Sequence, residues 1–335
     1  MNKILNIAVD AMGGEGSPKK ALDGILQHTN TTKNINYNIF GDQRQIEKIL
    51  PKKLDNNSYN LIHTNDQILD TDSPLSAAKK GKDTSMWKAI ESVKEKKSDI
   101  VISAGNTGAL FVLAKLNLKM IENIDKPALS ALWPNKNGMN VVLDLGANIE
   151  CNEKNLLDFS IMGSSLFKAL FPDEVAKVAL LNIGSEELKG NEVIKNAFKL
   201  LKEKKSSDFL FKGYVEGNHI MSGDANVIIT DGFTGNIALK TAEGTANFIM
   251  KEVKDSMTSN LFGKFLTLLN IKNLKKVKDK LDPRLYNGAI LIGLDSPVVK
   301  SHGSTDSLGF SYSLKVCERI INGNLIDKIK KNLIL

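Results

Sequence analysis

Asn226-Val227-Ile228-Ile229-Thr230-Asp231-Gly232-Phe233-Thr234-Gly235-Asn236 decides the fold. Val227 to Thr230 is a short apolar run bounded by polar residues, which reads as a buried strand. Ala238, Ala242, Ala246, Ile249 and Val253 then recur at three- and four-residue spacing, which reads as a helix. Asp231 to Asn236 is the joint. As a plain βα turn it uses Asn236 as the helix N-cap. As a site it offers free backbone N–H groups at a helix start, which suit an anion.

Working outward, the chain repeats this construction. Ile4 to Val9 is a strand that ends in Asp10-Ala11-Met12-Gly13-Gly14-Glu15-Gly16-Ser17-Pro18, with a helix at Lys19–Gln27. Its glycines permit close backbone approach and an anion-binding nest. Asp99–Ser103 is a strand running through Ala104-Gly105-Asn106-Thr107-Gly108 into another helix. Ala128–Trp133 and Asn140–Leu143 are further strands, the second ending in Asp144-Leu145-Gly146-Ala147-Asn148. Val178–Leu181 ends in Asn182-Ile183-Gly184, and Tyr214-Val215-Glu216-Gly217-Asn218 closes another strand. Strands alternating with helices predict an α/β fold, a three-layer α/β/α sandwich with a largely parallel sheet. In such a sheet the loops at the carboxyl ends of the strands hold the ligand. The loops at Asp10, Gly105, Asp144, Asn182, Glu216 and Asp231 are therefore expected to meet at one edge. No GxxxxGK[ST] loop occurs, and no GxGxxG fingerprint with a spaced acid, so a small anion is expected there more than a nucleotide.

Composition narrows the class. With 335 residues, 42% hydrophobic and 25% charged, the chain is ordinary for a globular protein. Its net charge of +7 comes from scattered lysines and favours phosphate, acidic proteins or anionic lipid. Cys151 and Cys317 stand far apart without a CxxC partner, which fits a cytoplasmic setting and neither a disulfide scaffold nor a zinc finger. With four histidines, no His-rich metal site is expected. The apolar start is too short for a signal-peptide core, and no run reaches a membrane span. No nucleic-acid recognition motif accompanies the mild basic charge, so nucleic acid is not an expected partner.

Two stretches stand apart. Residues 250–281 hold eight lysines against three acids, with Met257, Leu261, Phe265, Leu268 and Leu269 at helical spacing. Ile271, Leu274, Val277 and Leu281 follow the same spacing, and Phe262 and Leu266 widen the apolar face. This predicts a protruding amphipathic helical hairpin, inserted at about 254–281 into an otherwise single domain covering 1–335. It would lie on an anionic membrane surface or pack in a dimer interface. Near the end, Lys300-Ser301-His302-Gly303-Ser304-Thr305-Asp306 packs a cation, an imidazole, hydroxyls and a carboxylate behind a strand-like run, which marks a site. Leu308 to Leu335 reads as a closing helix or helix pair broken near Gly323.

These stretches together resemble the phosphate acyltransferase of bacterial phospholipid synthesis, the PlsX family. The matching residues are Val9–Gly14, Ser103–Leu110, Asp144–Asn148, Asn182–Gly184 with Glu187–Gly190, Val215–Asn218, Asp231–Asn236 with Lys240–Gly244, Tyr286–Ala289 and Lys300–Ser304. Lys126 stands where Arg usually precedes Pro-Ala; it keeps the charge and loses the planar fork. Ser185, Ser296 and residues 15–17 also depart from the pattern. The resemblance implies a sheet like that of phosphate acetyltransferases, assembled as a homodimer, with no cofactor and no metal. It implies attack of inorganic phosphate on a long-chain acyl-acyl carrier protein, giving acyl phosphate and free carrier. It further implies a cytoplasmic enzyme peripheral to the membrane, whose product feeds a membrane-bound glycerol-3-phosphate acyltransferase.

The resemblance gathers the candidate residues into one cleft. Phosphate falls to the backbone of Gly13 and Gly14, of Asn106, Thr107 and Gly108, and of Thr234, Gly235 and Asn236, helped by Lys189 and Lys300. Asp10, Asn182 and Ser304 complete the binding set. His302 is the candidate proton donor or phosphate contact, with Asp231 and Asp306 to orient it or accept a proton from phosphate. Leu261, Phe262, Phe265, Leu268 and Leu269 are the membrane-contact candidates. Lysines near 79–82 could dock an acidic carrier protein. Three rival readings stand beside this one: an acyl-cysteine route through Cys151, a short-chain phosphate acetyltransferase, and a non-catalytic membrane scaffold.

Overall fold

The computed structural model describes residues 4–204 and 208–334, the side chains of 277–281 excepted. In chain order its elements are β1 (Leu5–Asp10), α1 (Lys19–Thr29), β2 (Ile35–Gly41), α2 (Gln43–Ile49), β3 (Tyr59–His63), α3 (Pro74–Lys80), α4 (Ser85–Lys94), β4 (Ile100–Ser103) and α5 (Thr107–Asn117). Then come β5 (Ala128–Pro134), β6 (Met139–Leu143), α6 (Glu153–Leu170), β7 (Lys177–Asn182), α7 (Glu192–Glu203), β8 (Leu210–Glu216) and β9 (Val227–Ile229). The rest is α8 (Gly232–Met257), α9 (Leu261–Leu269), α10 (Ile271–Leu281), β10 (Ala289–Ile292), β11 (Val298–Lys300), α11 (Ser307–Asn322) and α12 (Leu325–Ile334).

Helix starts follow side-chain caps. Asn106, Asn152, Asn191, Asp231 and Asp306 each accept a backbone N–H from the first turn of their helix. The cap of α8 is thus Asp231, not Asn236, because Asp231 Oδ1 already accepts from Thr234 N at 2.8 Å.

All eleven strands form one sheet, in the order β3-β2-β1-β4-β11-β10-β5-β6-β9-β7-β8. Alternate residues divide its faces. Ile7, Val9, Ile102, Ile290 and Val299 point into one continuous core with α1, α6, α7, α11 and α12. On the other face Ala8, Val101, Leu291 and Val298 pack under α3, α4 and α5. Val142, Ala179, Leu181 and Ile228 pack under the start of α8 on that same face. The expected three layers and largely parallel sheet are present.

The strand directions correct the expectation that the loops meet at one edge. β10 and β11 are antiparallel, as are β10 and β5, and β5 and β6. β6, β9, β7 and β8 therefore run opposite to β1, β2, β3, β4 and β11. The reversal is the β5–β6 hairpin, whose Asn135 N donates to Gly138 O at 3.0 Å. The carboxyl-end loops consequently gather at two opposite edges: those at Asp10, Gly105 and His302 on one, and those at Asp144, Asn182, Glu216 and Asp231 on the other. The segment at 254–281 forms the end of α8, then α9 and α10. No helix among the described residues is long and apolar enough to cross a membrane.

Candidate active site

The first edge is built on one rung of the ladder, where Asp10, Ser103 and Lys300 stand side by side. All three fall on the face carrying α4 and α5, because Ala8, Val101 and Val298 two residues earlier pack into that core. Asp10 is only 1% exposed and lies beneath the loop that follows it. It accepts hydrogen bonds from Ser103 Oγ at 2.6 Å, Ser85 Oγ at 2.7 Å and the Met12 amide at 3.3 Å. Burial raises its pKa above the ordinary carboxylate value, against the pull of those donors and of Lys300.

Three backbone loops close over this base. A Cβ on Gly13 would stand 2.5 Å from Gly105 N, and one on Gly14 2.6 Å from Ala104 O. Gly14 also holds φ +81, so glycine is required there on both counts. The Glu15 amide donates to Gly303 O at 3.1 Å. Asn106 caps α5 through Ala109 N, while its amide group donates to Asp70 O and Asp72 O. The first-turn amides at Thr107 and Gly108 have no intrahelical acceptor, as in any helix start.

Two ammonium groups enter the same space. Lys20 Nζ donates to Gly303 O at 2.6 Å. Lys300 Nζ donates to Ser301 O and, at 3.3 Å, to Ala104 O. Burial lowers the pKa of Lys20. Burial, followed by the charge of Lys20, brings Lys300 down to about 8. Two crowded cations held on carbonyl oxygens, each made less basic by its surroundings, are what an incoming polyanion relieves.

His302 is next. Its backbone amide donates to Asn287 Oδ1 at 2.9 Å. Asn287 Nδ2 also donates to Ser301 Oγ at 3.0 Å, so Asn287 sets the turn. His302 Nδ1 lies 3.1 Å from Ser304 Oγ and 3.4 Å from the Ser304 amide. An Nδ1 that accepts from this amide leaves the ring proton on Nε2. Burial and then Lys300 lower the imidazole pKa below its ordinary value, while Glu243 of α8 pulls the other way. His302 is therefore neutral at pH 7 and a hydrogen-bond donor through Nε2.

The remaining predicted residues lie elsewhere. Asp306 caps α11 through Gly309 N and pairs with Arg284 at 2.9 Å. Asp231, with Thr234, Gly235 and Asn236, lies on the second edge. Gly235 there packs so close to Asp144 O that a Cβ would stand at 1.9 Å. From Lys300 on β11 to Asp231 beyond β9 is four strand spacings, roughly 20 Å. Asn182 belongs to the same edge, its amide closing the loop onto Gly184 O and Lys189 O. Lys189 is exposed beside it. Lys126 donates to Glu150 O at 2.8 Å. The structure thus brings Gly13, Gly14, Asn106, Thr107, Gly108, Lys300, His302 and Ser304 together over Asp10. It does not bring Asp231, Asn182, Lys189, Thr234, Gly235 or Asn236 to them.

Cys151, also on the second edge, is half-buried, and burial followed by Asp144 pushes its thiol up to about 11. Such a thiol is a poor nucleophile at neutral pH, which weighs against an acyl-cysteine route. Sequence reading missed Lys20, Ser85 and Asn287. Lys20 sits inside a helix one residue beyond Lys19, which points outward to Asp23 instead; the helical spacing alone separates the two.

Comparison with known proteins gives the family and the fold. A family model described as fatty acid synthesis protein matches residues 5–328. A phosphate acyltransferase of Pelagibacter ubique is 68% identical, over 99% of this chain and the whole of its own length. That of Maricaulis maris is 40% identical over 99% of this chain and 96% of its own. Among solved structures, the EutD phosphotransacetylase of Staphylococcus aureus superposes with a TM-score of 0.63 at 16% identity, covering 95% of this chain and 94% of that one. A Streptococcus pyogenes phosphotransacetylase gives 0.63 at 15% identity, over 98% and 95%. These two likenesses concern the fold alone.

Proposed function

The chain belongs to the phosphate acyltransferase family, and from that premise we propose that it uses inorganic phosphate to cleave a long-chain acyl-acyl carrier protein. The observation that carries this reading is the pair Lys20 and Lys300, set beside glycine-lined backbone loops and a neutral His302.

Phosphate binds between the ammonium groups and the loop amides. One of its oxygens attacks the thioester carbonyl carbon, and the carbon–oxygen bond forms as the carbonyl oxygen takes up negative charge. Collapse of that intermediate breaks the carbon–sulfur bond, giving acyl phosphate and a thiolate on the carrier. The proton carried by hydrogen phosphate ends on that sulfur, so the balance needs no further reactant. His302 Nε2–H donates to a phosphate oxygen or to the developing oxyanion. Lys300 neutralises phosphate and holds it for attack. Asp10 acts through Ser103 and Ser85 by fixing the floor.

Purified protein is mixed with palmitoyl-acyl carrier protein and phosphate, and hydroxylamine traps any acyl phosphate. The expected result is acyl hydroxamate that depends on phosphate. None, from folded protein and intact substrate, overturns the reading. A chain-length series separates this from a short-chain acetyltransferase, the reading the shared fold would favour.

Association with an anionic membrane surface is part of the proposal. In α9, Leu261 is 84% and Phe262 71% exposed, and Phe265, Leu268 and Leu269 stand exposed with them. Lys264 lies within α9, and Lys272, Lys275 and Lys276 follow in α10. Co-sedimentation with phosphatidylglycerol vesicles is expected and should be lost in Phe262→Asp/Phe265→Asp.

A further inference from the structure

We propose that the acyl chain lies in a trench across the α5–α8 face of the sheet, floored by Ala289, Ala131 and Leu129, and that Leu129 and Ala131 govern which chain lengths the enzyme accepts. This inference rests on the acyltransferase reading above and assigns the substrate's apolar part a place.

The trench follows from an asymmetry between the faces. One face of the sheet carries a single continuous core. The other carries two, one under α3, α4 and α5 and one under the start of α8. At the margin of the second runs β5, whose Trp133 belongs to that core and whose Leu129 and Ala131 pack against it half-buried, while Ser130 and Leu132 are buried. Alternation of this kind belongs to a sheet with one open face. Here it occurs at the seventh strand of eleven, between β10 and β6, although β4, β6 and β9 in the same sheet are buried at every residue except Met139. Ala289 on β10 is half-buried as well.

The open strip begins at the candidate active site. Lys300 pairs with Ala289 across the β10–β11 ladder. Ile290 pairs with Ser130 and Leu291 with Leu129, so Ala131 stands beside Ala289 on the next rung. The floor therefore reads Lys300, Ala289, Ala131, then Leu129, with Leu291 next to Leu129 buried in the core under α5. It passes from an ammonium group to alanines and then to a leucine without another charge. From Ala131 to Leu129 is about 7 Å along the strand, and on to Pro127 about 13 Å.

Width chooses the occupant. α5 packs on β11 and α8 on β6. Three strand spacings separate β11 from β6, roughly 14 Å, and half a helix diameter on each side leaves about 4 Å. A polymethylene chain fits that gap and a third helix does not. The two alanines nearest Lys300 keep the floor low where the reacting carbonyl must sit, and Leu129 beyond offers an apolar bed. The amide of Leu129 donates to Asp144 Oδ1 at 2.9 Å, which ties the far end of the trench to the second edge.

The test uses the full-length protein and two variants. Leu129→Trp obstructs the far half and Ala131→Leu the near half. The readout is the ratio of kcat/KM for palmitoyl- to hexanoyl-acyl carrier protein, with thermal unfolding as the check on folding. Leu129→Trp is expected to lower that ratio about tenfold or more. Ala131→Leu is expected to depress both substrates, with Ala131→Ser retaining the wild-type ratio. An unchanged ratio in folded Leu129→Trp overturns the proposal, and this variant decides the matter if Ala131→Leu does not fold. A second measurement is independent of turnover: palmitate displaces a bound fluorescent fatty acid from wild-type protein and, with at least tenfold weaker affinity, from Leu129→Trp. Palmitate binding that is lost in the variant, in a protein that makes no acyl phosphate, keeps the trench and overturns the reaction. Palmitate affinity equal in both proteins overturns the trench.

Discussion

The two edges of the sheet are made from the same kinds of residue and differ in what those residues face. Each has strands ending in Asp, Gly and Asn, and each has helices capped by Asn or Asp. On the first edge the buried carboxylate of Asp10 takes two hydroxyls and lies beneath two ammonium groups tethered only to carbonyl oxygens. On the second edge the buried carboxylate of Asp144 takes Leu129 N, Ala147 N and both nitrogens of Asn148. Lys126 there is held by Glu150 O, and Asp231 by Thr234. Most polar groups of the second edge are spent on one another, Asn182 Oδ1 excepted. On the first, two ammonium groups are bonded to carbonyl oxygens, with Asp10, Asp70 and Glu15 acting on them only by charge. Polar loops at strand ends are thus a common grammar of this fold, and ammonium groups that a phosphate can take over from carbonyl oxygens mark one set of them as an anion site.

The largest test of that contrast is Lys300→Ala. Removing the cation that stands on the same rung as Asp10 and Ser103 should lower kcat/KM for phosphate about a hundredfold, at the scale of losing a group that stabilises developing charge. His302→Ala should lower turnover at least about tenfold, the low end of general acid–base and hydrogen-bonding effects. Near-normal turnover of either folded variant in steady-state assays would return the reaction to the second edge.

The pH dependence sharpens the same contrast. Lys300 is lowered to about 8, so it is charged at pH 7 and loses its proton as pH rises through that value. KM for phosphate should therefore climb between pH 7 and 9. Arginine stays protonated throughout, so Lys300→Arg should flatten the profile even if its absolute KM is worse. A wild-type KM that is level across this range would assign the charge elsewhere. The shift also fixes the sign of a stability effect. The folded-state pKa lies below the unfolded value, so the folded state binds fewer protons between them and the Lys300 contribution to stability rises with pH from about 8 toward 10.

How much of this was legible in the residues varies with range. Helix positions follow from apolar spacing, but the caps do not: the sequence offers Asn236 for α8 where Asp231 serves. The layered α/β sheet was legible from alternating apolar runs. Strand direction across the middle was not read, although Asn137-Gly138 between Trp133 and Asn140 is a hairpin signal. That reversal is what separates the loops into two edges. Lys20 escaped notice because only the fold brings it over Gly303, 283 residues away. Asp306 shows the converse, since a carboxylate three residues before Gly309 in a polar cluster serves equally as a cap or as a catalyst, and only Arg284 and the α11 amide settle its partners.

The base of the first edge yields a smaller and purely structural effect. In Asp10→Ala the hydroxyls of Ser103 and Ser85 lose their buried acceptor, at a cost of about 2 kcal/mol or more. Urea unfolding measures it, and an unchanged midpoint would mean that the network is not formed. The smallest effect should come from the second edge. Asp231→Ala removes the cap of α8 and should cost about 1 kcal/mol in the same measurement. Asp231 lies on the far edge, and its carboxylate is already taken by Thr234, so KM for phosphate should hold. A rise in that KM would mean that the α8 start and the Lys300 edge act on one substrate. The roughly 20 Å between them would then have to be bridged by the ligand itself, which the trench from Lys300 to Leu129 makes physically possible for a long acyl group and impossible for phosphate alone. Asp231→Ala and Leu129→Trp therefore discriminate where a single variant could not: phosphate KM reports the near end of the trench, and palmitoyl preference the far end.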